Sequence, residues 1–207
     1  MVLVNTVLLV RSGLGLGETD VAIALGFFGG GSMLAALLLP RILDRIPDRP
    51  VMISGAALMV AGLLVLAGWI RSVGLTVEGL LLAWFLVGFG YSAVLTPSGR
   101  LLRRSSHEED RPAVFAAQFA LSHACWLIAY PLSGWLMTAF GAVPALITLA
   151  ALAVLGVAAA LILWPAADPV EIAHDHPELA PDHPHIRDGR HHQHAFVIDD
   201  QHQRWPR

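Results

Sequence analysis

The chain contains no lysine, so arginine carries all of its fixed positive charge. It has one cysteine, Cys125, which excludes an internal disulfide and any metal site built from thiolates alone. Charge of either sign is scarce: 14% of residues are charged, against about a quarter in a soluble domain, while 56% are hydrophobic. That balance argues against a water-soluble globule and fits a membrane protein. The first ten residues lack the basic flank of a secretory leader, and Arg11 follows the apolar stretch instead of preceding it. The apolar segments hold no paired carboxylates, nucleophile–base constellation or cofactor fingerprint, so neither an enzyme nor a permanently bound cofactor is expected. No nucleic-acid partner is expected either.

What is present is uninterrupted apolar chain. A bilayer-crossing helix needs about 20 apolar residues, each adding about 1.5 Å across a core about 30 Å thick. Residues 21–40, 50–70 and 79–99 meet that length without a charge, and 112–167 is long enough for two crossings. The break between those two falls best at Phe140–Pro144, "FGAVP", where Gly and Pro favour a turn. The expected fold is an all-α membrane protein with helices near 1–10, 20–40, 50–70, 79–99, 112–139 and 143–164. Five of these are full transmembrane helices. The segment near 1–10 reaches only about 15 Å and is read as the end of a helix whose start is missing. A half-domain thus spans 1–165, and an acidic, proline-containing tail, 166–207, is expected to be mostly disordered.

The arginines alternate along the chain. Arg41, Arg45 and Arg49 lie in one loop, and Arg100, Arg103, Arg104 and Arg111 in another, while the intervening loops hold Arg11, Arg71 or none. Arginine-rich loops remain in the cytoplasm, so both of these, and the tail, are expected on the cytoplasmic face of the plasma (inner) membrane. Small residues crowd the spans at "GFFGGGS" and "GFGYSAVLTPSG", which suits close helix packing. The first is not a phosphate loop, because no strand precedes it and no lysine follows. Pro131 is expected to kink its helix.

The stretch "LPRILDRIPDRPVM" is similar to the loop signature Gly-x-x-x-Asp-Arg-x-Gly-Arg-Arg of the major facilitator superfamily. Asp44, Arg45 and Arg49 match the motif, while Pro40, Pro47 and Asp48 replace Gly, Gly and Arg. With the helix pattern, the chain resembles the C-terminal six-helix half of such a transporter. The resemblance implies a secondary-active transporter with an N-terminal half, or a partner chain, beyond what is seen. It also implies a gating role for the loop. A carboxylate such as Asp44 set against the positive N-terminus of the helix beginning near Pro112 would be favoured only with the cytoplasmic side closed.

Transport sites lie near the bilayer midplane, where polar side chains are costly. The spans offer few: Asn5, and then Gln118, Ser122, His123, Cys125 and Tyr130 in "QFALSHACWLIAY". The last five are the candidate pathway residues, with His123 a possible ligand or proton relay. His123 and Cys125, two apart on a helix, face different ways and do not chelate one ion together.

The tail holds eight histidines between His174 and His202, in His-x-His and His-His-x-His groupings. Imidazole beside carboxylates such as Asp175 and Asp182 suits Ni(II), Co(II), Zn(II) or Cu(II) rather than Mg or Ca. The candidate ligands are His174, His176, His183, His185, His191, His192 and His194. The final stretch carries Phe196, Val197, Ile198 and Trp205, which could dock on the cytoplasmic face. A histidine-rich tail on this architecture resembles the nickel-resistance branch of the family, which implies export of nickel or cobalt. The alternatives are efflux of small organic compounds with an incidental tail, or a metal-responsive half-transporter that works with a partner chain.

Overall fold

Glycine and proline set most helix ends. A computed structural model describes residues 1–167, 169, 171–175, 185 and 191–205, the side chain of His192 excepted. Helix α1, Val2–Val7, continues as a π-helical turn through Leu8–Gly13. Helices α2 (Glu18–Leu43), α3 (Asp48–Val73), α4 (Val77–Arg104), α5 (Arg111–Phe140) and α6 (Ala142–Leu163) follow. Gly74 and Gly141 close α3 and α5 at φ 90° and 83°, backbone angles that a side chain would strain. Thr76 caps α4 by accepting from the amide of Gly79 at 3.3 Å. Pro131 lies inside α5.

Among the described residues, five helices of 22 to 30 residues are long and apolar enough to cross a membrane. They reach past the apolar runs into charged ends. α4, for example, winds on through Arg100, Arg103 and Arg104, because long side chains can carry their charge outward from a helix that stays hydrogen-bonded.

α4 lies between α2 and α3; α3 also packs on α6, and α5 packs on α6, with α1 against α2 and α5. The enclosed core takes Trp84, Leu80 and Val87 from α4, Leu63 and Leu66 from α3, and Leu146 and Ala150 from α6. Leu9, Val10 and Met137 join it from α1's continuation and α5. Backbones approach closely where glycine permits. A Cβ on Gly31 would overlap the Phe85 carbonyl, and one on Gly88 the Phe28 carbonyl, so α2 and α4 touch main chain to main chain. Beyond this core the surface is apolar: Phe119, Leu121, Leu127 and Ile128 on α5 and Leu155, Ile162 and Leu163 on α6 are exposed. Water would penalise a continuous apolar surface of this kind, and lipid does not.

After α6 the described tail residues pair as strands β1 (Glu171–Asp175) and β2 (His191–Ala195), antiparallel, with Ile172 opposite His194 and Asp175 opposite His191. Within these described residues the chain is paired. The reason lies in alternation: every second residue of β1 is sheltered, and those residues, Ile172 and His174, form the inner face.

Candidate metal centre and transport face

Residues two apart on a strand, and residues opposed across a ladder, project from one face. Ile172 and His174 therefore share a face with His194, and the His174 and His194 rings lie 4.8 Å apart, edge to face. His185 and His202 close the group from outside the ribbon. One ring nitrogen from each of His174, His185, His194 and His202 lies within 4.8 Å of every other.

The hydrogen bonds behind the rings aim these nitrogens. His174 Nδ1 donates to the Ile172 carbonyl at 2.8 Å, His194 Nδ1 to the Ala195 carbonyl at 2.8 Å, and His202 Nδ1 to the Asp199 carboxylate at 2.7 Å. Oxygen acceptors behind the rings place the proton on Nδ1. In the neutral rings Nε2 then presents its lone pair. Yet His174 Nε2 stands 2.9 Å, and His185 Nε2 3.2 Å, from His202 Nε2. Between His174 and His202, both protonated on Nδ1, the facing lone pairs call for a proton or a cation between them. A tetrahedral ion with metal–nitrogen bonds of about 2.0–2.1 Å spaces its ligands by roughly 3.4 Å, slightly more than the 2.9 and 3.2 Å seen here and inside the 4.8 Å span of the group. The donor set is chemically that of a borderline transition ion.

Asp199 is the carboxylate behind this centre. It accepts from His202 Nδ1 and from the amides of Gln201 and His202 at 3.0 and 2.9 Å. Partial burial raises its pKa, but the hydrogen bond and charge of His202 and the two amides outweigh that and hold it below the ordinary carboxylate value. A carboxylate of this kind fixes the tautomer of a metal-binding histidine.

Of the seven ligands expected on spacing, His174, His185 and His194 meet here. His191 does not; it bonds Asp175 at 2.9 Å. His176, His183 and the His192 side chain lie outside the described residues. His202 is the member of the group that spacing missed. It sits alone in "DDQHQRW", and its signal was the preceding aspartate pair.

The tail is seated on the arginine-rich end of the bundle. The Ile198 amide donates to the Arg104 carbonyl at 3.0 Å, Asp200 pairs with His107 at 3.0 Å, and the Arg104 guanidinium lies 5.0 Å over the Trp205 ring. Ala195, Phe196 and Val197 wall a recess of about 290 Å³ with Asp48, Arg100, Arg103, Arg104 and Arg111. In the α2–α3 loop, Asp44 and Arg45 are exposed, and Asp44 makes no side-chain hydrogen bond or ion pair among the described residues. The buried carboxylate at this end is Asp48, in the first turn of α3, 3.4 Å from Arg100 Nε. Its position just after Pro47, where an acid meets the positive helix start, was the available signal. Arg49 reaches the other way, donating to the Trp164 and Leu161 carbonyls at 3.1 and 3.4 Å at the end of α6.

Gln118, Ser122, His123, Cys125 and Tyr130 all stand on α5. Phe119, His123, Trp126 and Tyr130 form one ladder, with successive ring centroids 3.8, 4.6 and 5.8 Å apart. His123 Nδ1 donates to the Phe119 carbonyl at 2.8 Å and lies 3.5 Å from Ser122 Oγ. Gln118, Ser122 and Cys125 occupy the adjoining stripe by helical periodicity. His123 and Cys125 are exposed halfway along an apolar helix, a position that needs a cavity or further protein beside it.

No curated protein and no solved structure matches the chain. The family model of the Major Facilitator Superfamily matches residues 1–196, which takes in the helical bundle and the tail as far as β2. The multi-pass helical architecture agrees with that match, and the chain belongs to the Major Facilitator Superfamily, a family of membrane transporters.

Proposed function

We propose that this chain is part of a secondary-active exporter of divalent transition metal ions, nickel or cobalt foremost, in the plasma (inner) membrane. The arginine-rich loops and the tail face the cytoplasm on the positive-inside rule. The observation that carries the reading is the convergence of four imidazoles in the tail of a major facilitator protein. Their donor set favours Ni(II), Co(II), Zn(II) or Cu(II) over Mg(II). The tail concentrates the ion beside the bundle, and the face of α5 bearing Gln118, Ser122, His123, Cys125 and Tyr130 lines the pathway against a further six-helix half or a partner chain. Asp44, Arg45 and Arg49 belong to the gate.

The test is nickel and cobalt accumulation in cells expressing the protein with its partner half. Expression should lower accumulation, and replacing His174, His185, His194 and His202 together by alanine should weaken that effect. Equal accumulation with and without the protein would overturn the reading.

A second reading, efflux of small organic compounds, is favoured by the aromatic ladder Phe119–His123–Trp126–Tyr130, a surface on which a planar apolar compound could stack. Dye efflux that is indifferent to the tail histidines would select it.

A further inference from the structure

We propose that the four-histidine site is regulatory: one transition ion bound by His174, His185, His194 and His202 straps the segment 196–205 across the ends of α3, α4 and α5. This rests on the reading of the tail as a metal binder and assigns that site a task other than holding cargo.

Phe196 is the shared wall. It is almost wholly enclosed, and its ring lies 5.1 Å from His174, 4.8 Å from His202 and 4.9 Å from Trp205. It also lines the arginine recess with Asp48 of α3 and Arg111 of α5. The histidine rings therefore cannot shift far without moving a residue that walls the recess.

Three consecutive residues then divide the contacts. The Ile198 amide holds the last carbonyl of α4, the Asp199 carboxylate orients His202, and Asp200 holds His107 in the α4–α5 loop. His174 belongs to β1, the first strand after α6. An ion at the centre thus joins chain leaving α6 to chain lying on α4 and α5.

The energetic link is electrostatic. Without a cation, the Nε2 atoms of His174 and His202, each ring having its proton held on Nδ1, face one another at 2.9 Å, an arrangement that favours opening. A cation turns the same convergence into bonds, so the docked tail binds the ion better than the released tail. Any ligand with such a preference shifts the population toward the state it prefers. Coupling of this kind is reciprocal: the ion tightens docking, and docking tightens the ion by the same factor.

The experiment is amide hydrogen exchange on the full chain in lipid nanodiscs, with and without Zn(II), beside a calorimetric measurement of Zn(II) stoichiometry and affinity. One equivalent of Zn(II) should slow exchange at Ile198 and across residues 105–111 by about tenfold, within the ordinary range of coupling. His202→Ala should abolish that protection. The double variant Asp200→Asn, Trp205→Ala leaves all four ligands in place; it should still bind one Zn(II), about tenfold more weakly, and should no longer protect residues 105–111. If Zn(II) binds at one equivalent and exchange over 105–111 is unchanged, the strap is overturned while the metal-binding tail stands. If no Zn(II) binds, both fall. If the protection persists in His202→Ala, the ion acts elsewhere and the strap is overturned.

Discussion

The indole N–H of Trp84 donates to the hydroxyl of Thr6 at 2.7 Å, and Thr6 donates in turn to the Val2 carbonyl at 2.6 Å. Both side chains are enclosed, so the relay joins α1 to α4 where water does not compete. A buried donor left without its acceptor costs about 1–3 kcal/mol, and somewhat less where the unfolded chain remains in the membrane and finds other partners. Thr6→Val keeps the shape and removes the acceptor. It should lower stability by roughly 1 kcal/mol in reversible detergent unfolding, while Thr6→Ser should unfold like the parent. Equal midpoints for all three would show that the relay adds nothing.

The neighbouring Asn5 presents the opposite case. Its amide nitrogen and oxygen are both buried and have no hydrogen-bond partner among the described residues. An unpaired buried amide is a cost that an apolar side chain of similar size avoids. Asn5→Leu should therefore raise stability by about 1–2 kcal/mol in the same unfolding assay. A fall instead would mean that an internal water or ion satisfies this amide in the native state.

The helix contact at Gly31 and Gly88 is sensitive to a single methyl group. Gly88→Ala places a Cβ against the Phe28 carbonyl, main chain that can yield only by moving α2 as a body. A loss of about 1–3 kcal/mol or more is expected, the range of overpacked cores. Gly29, three residues along the chain from Gly26 in the same glycine run, would meet nothing within 4 Å. Gly29→Ala should leave the unfolding midpoint unchanged or raise it slightly, since alanine is the better helix former. Equal losses from both variants would contradict the close approach of α2 and α4.

This contrast shows what was legible in the sequence. Five membrane-length helices could be read from length and charge alone, because a bilayer imposes one apolar run per crossing. Which glycine of "GFFGGGS" touches a neighbour could not be read, since that depends on how α2 turns against α4. The loop motif pointed to Asp44, Arg45 and Arg49, whereas the enclosed carboxylate is Asp48, which stands where the family pattern has arginine. In the tail, close spacing pointed to histidine pairs. Antiparallel pairing instead brings together His174 and His194, twenty positions apart, and sends His191 to Asp175. Long-range strand register is the quantity that local spacing does not contain.

The four-histidine group therefore makes a prediction that separates a built metal site from a loose histidine-rich chain. His202 belongs to the observed cluster of imidazoles and His191 does not. Spacing alone ranks them the other way, because His191 lies in "HHQH" and His202 stands apart. In calorimetric titration of the full chain with Ni(II), His202→Ala should reduce affinity far more than His191→Ala, which should resemble the parent. Asp199→Asn tests the support behind the ligand. It retains the size of the side chain but removes the negative charge that holds His202 Nδ1–H, and loss of such a partner typically weakens binding about 10–100-fold. The order His202→Ala weakest, Asp199→Asn intermediate and His191→Ala unchanged follows from one geometry. Equal modest losses for His202→Ala and His191→Ala, with none for Asp199→Asn, would instead describe an unstructured chain in which any imidazole substitutes for any other.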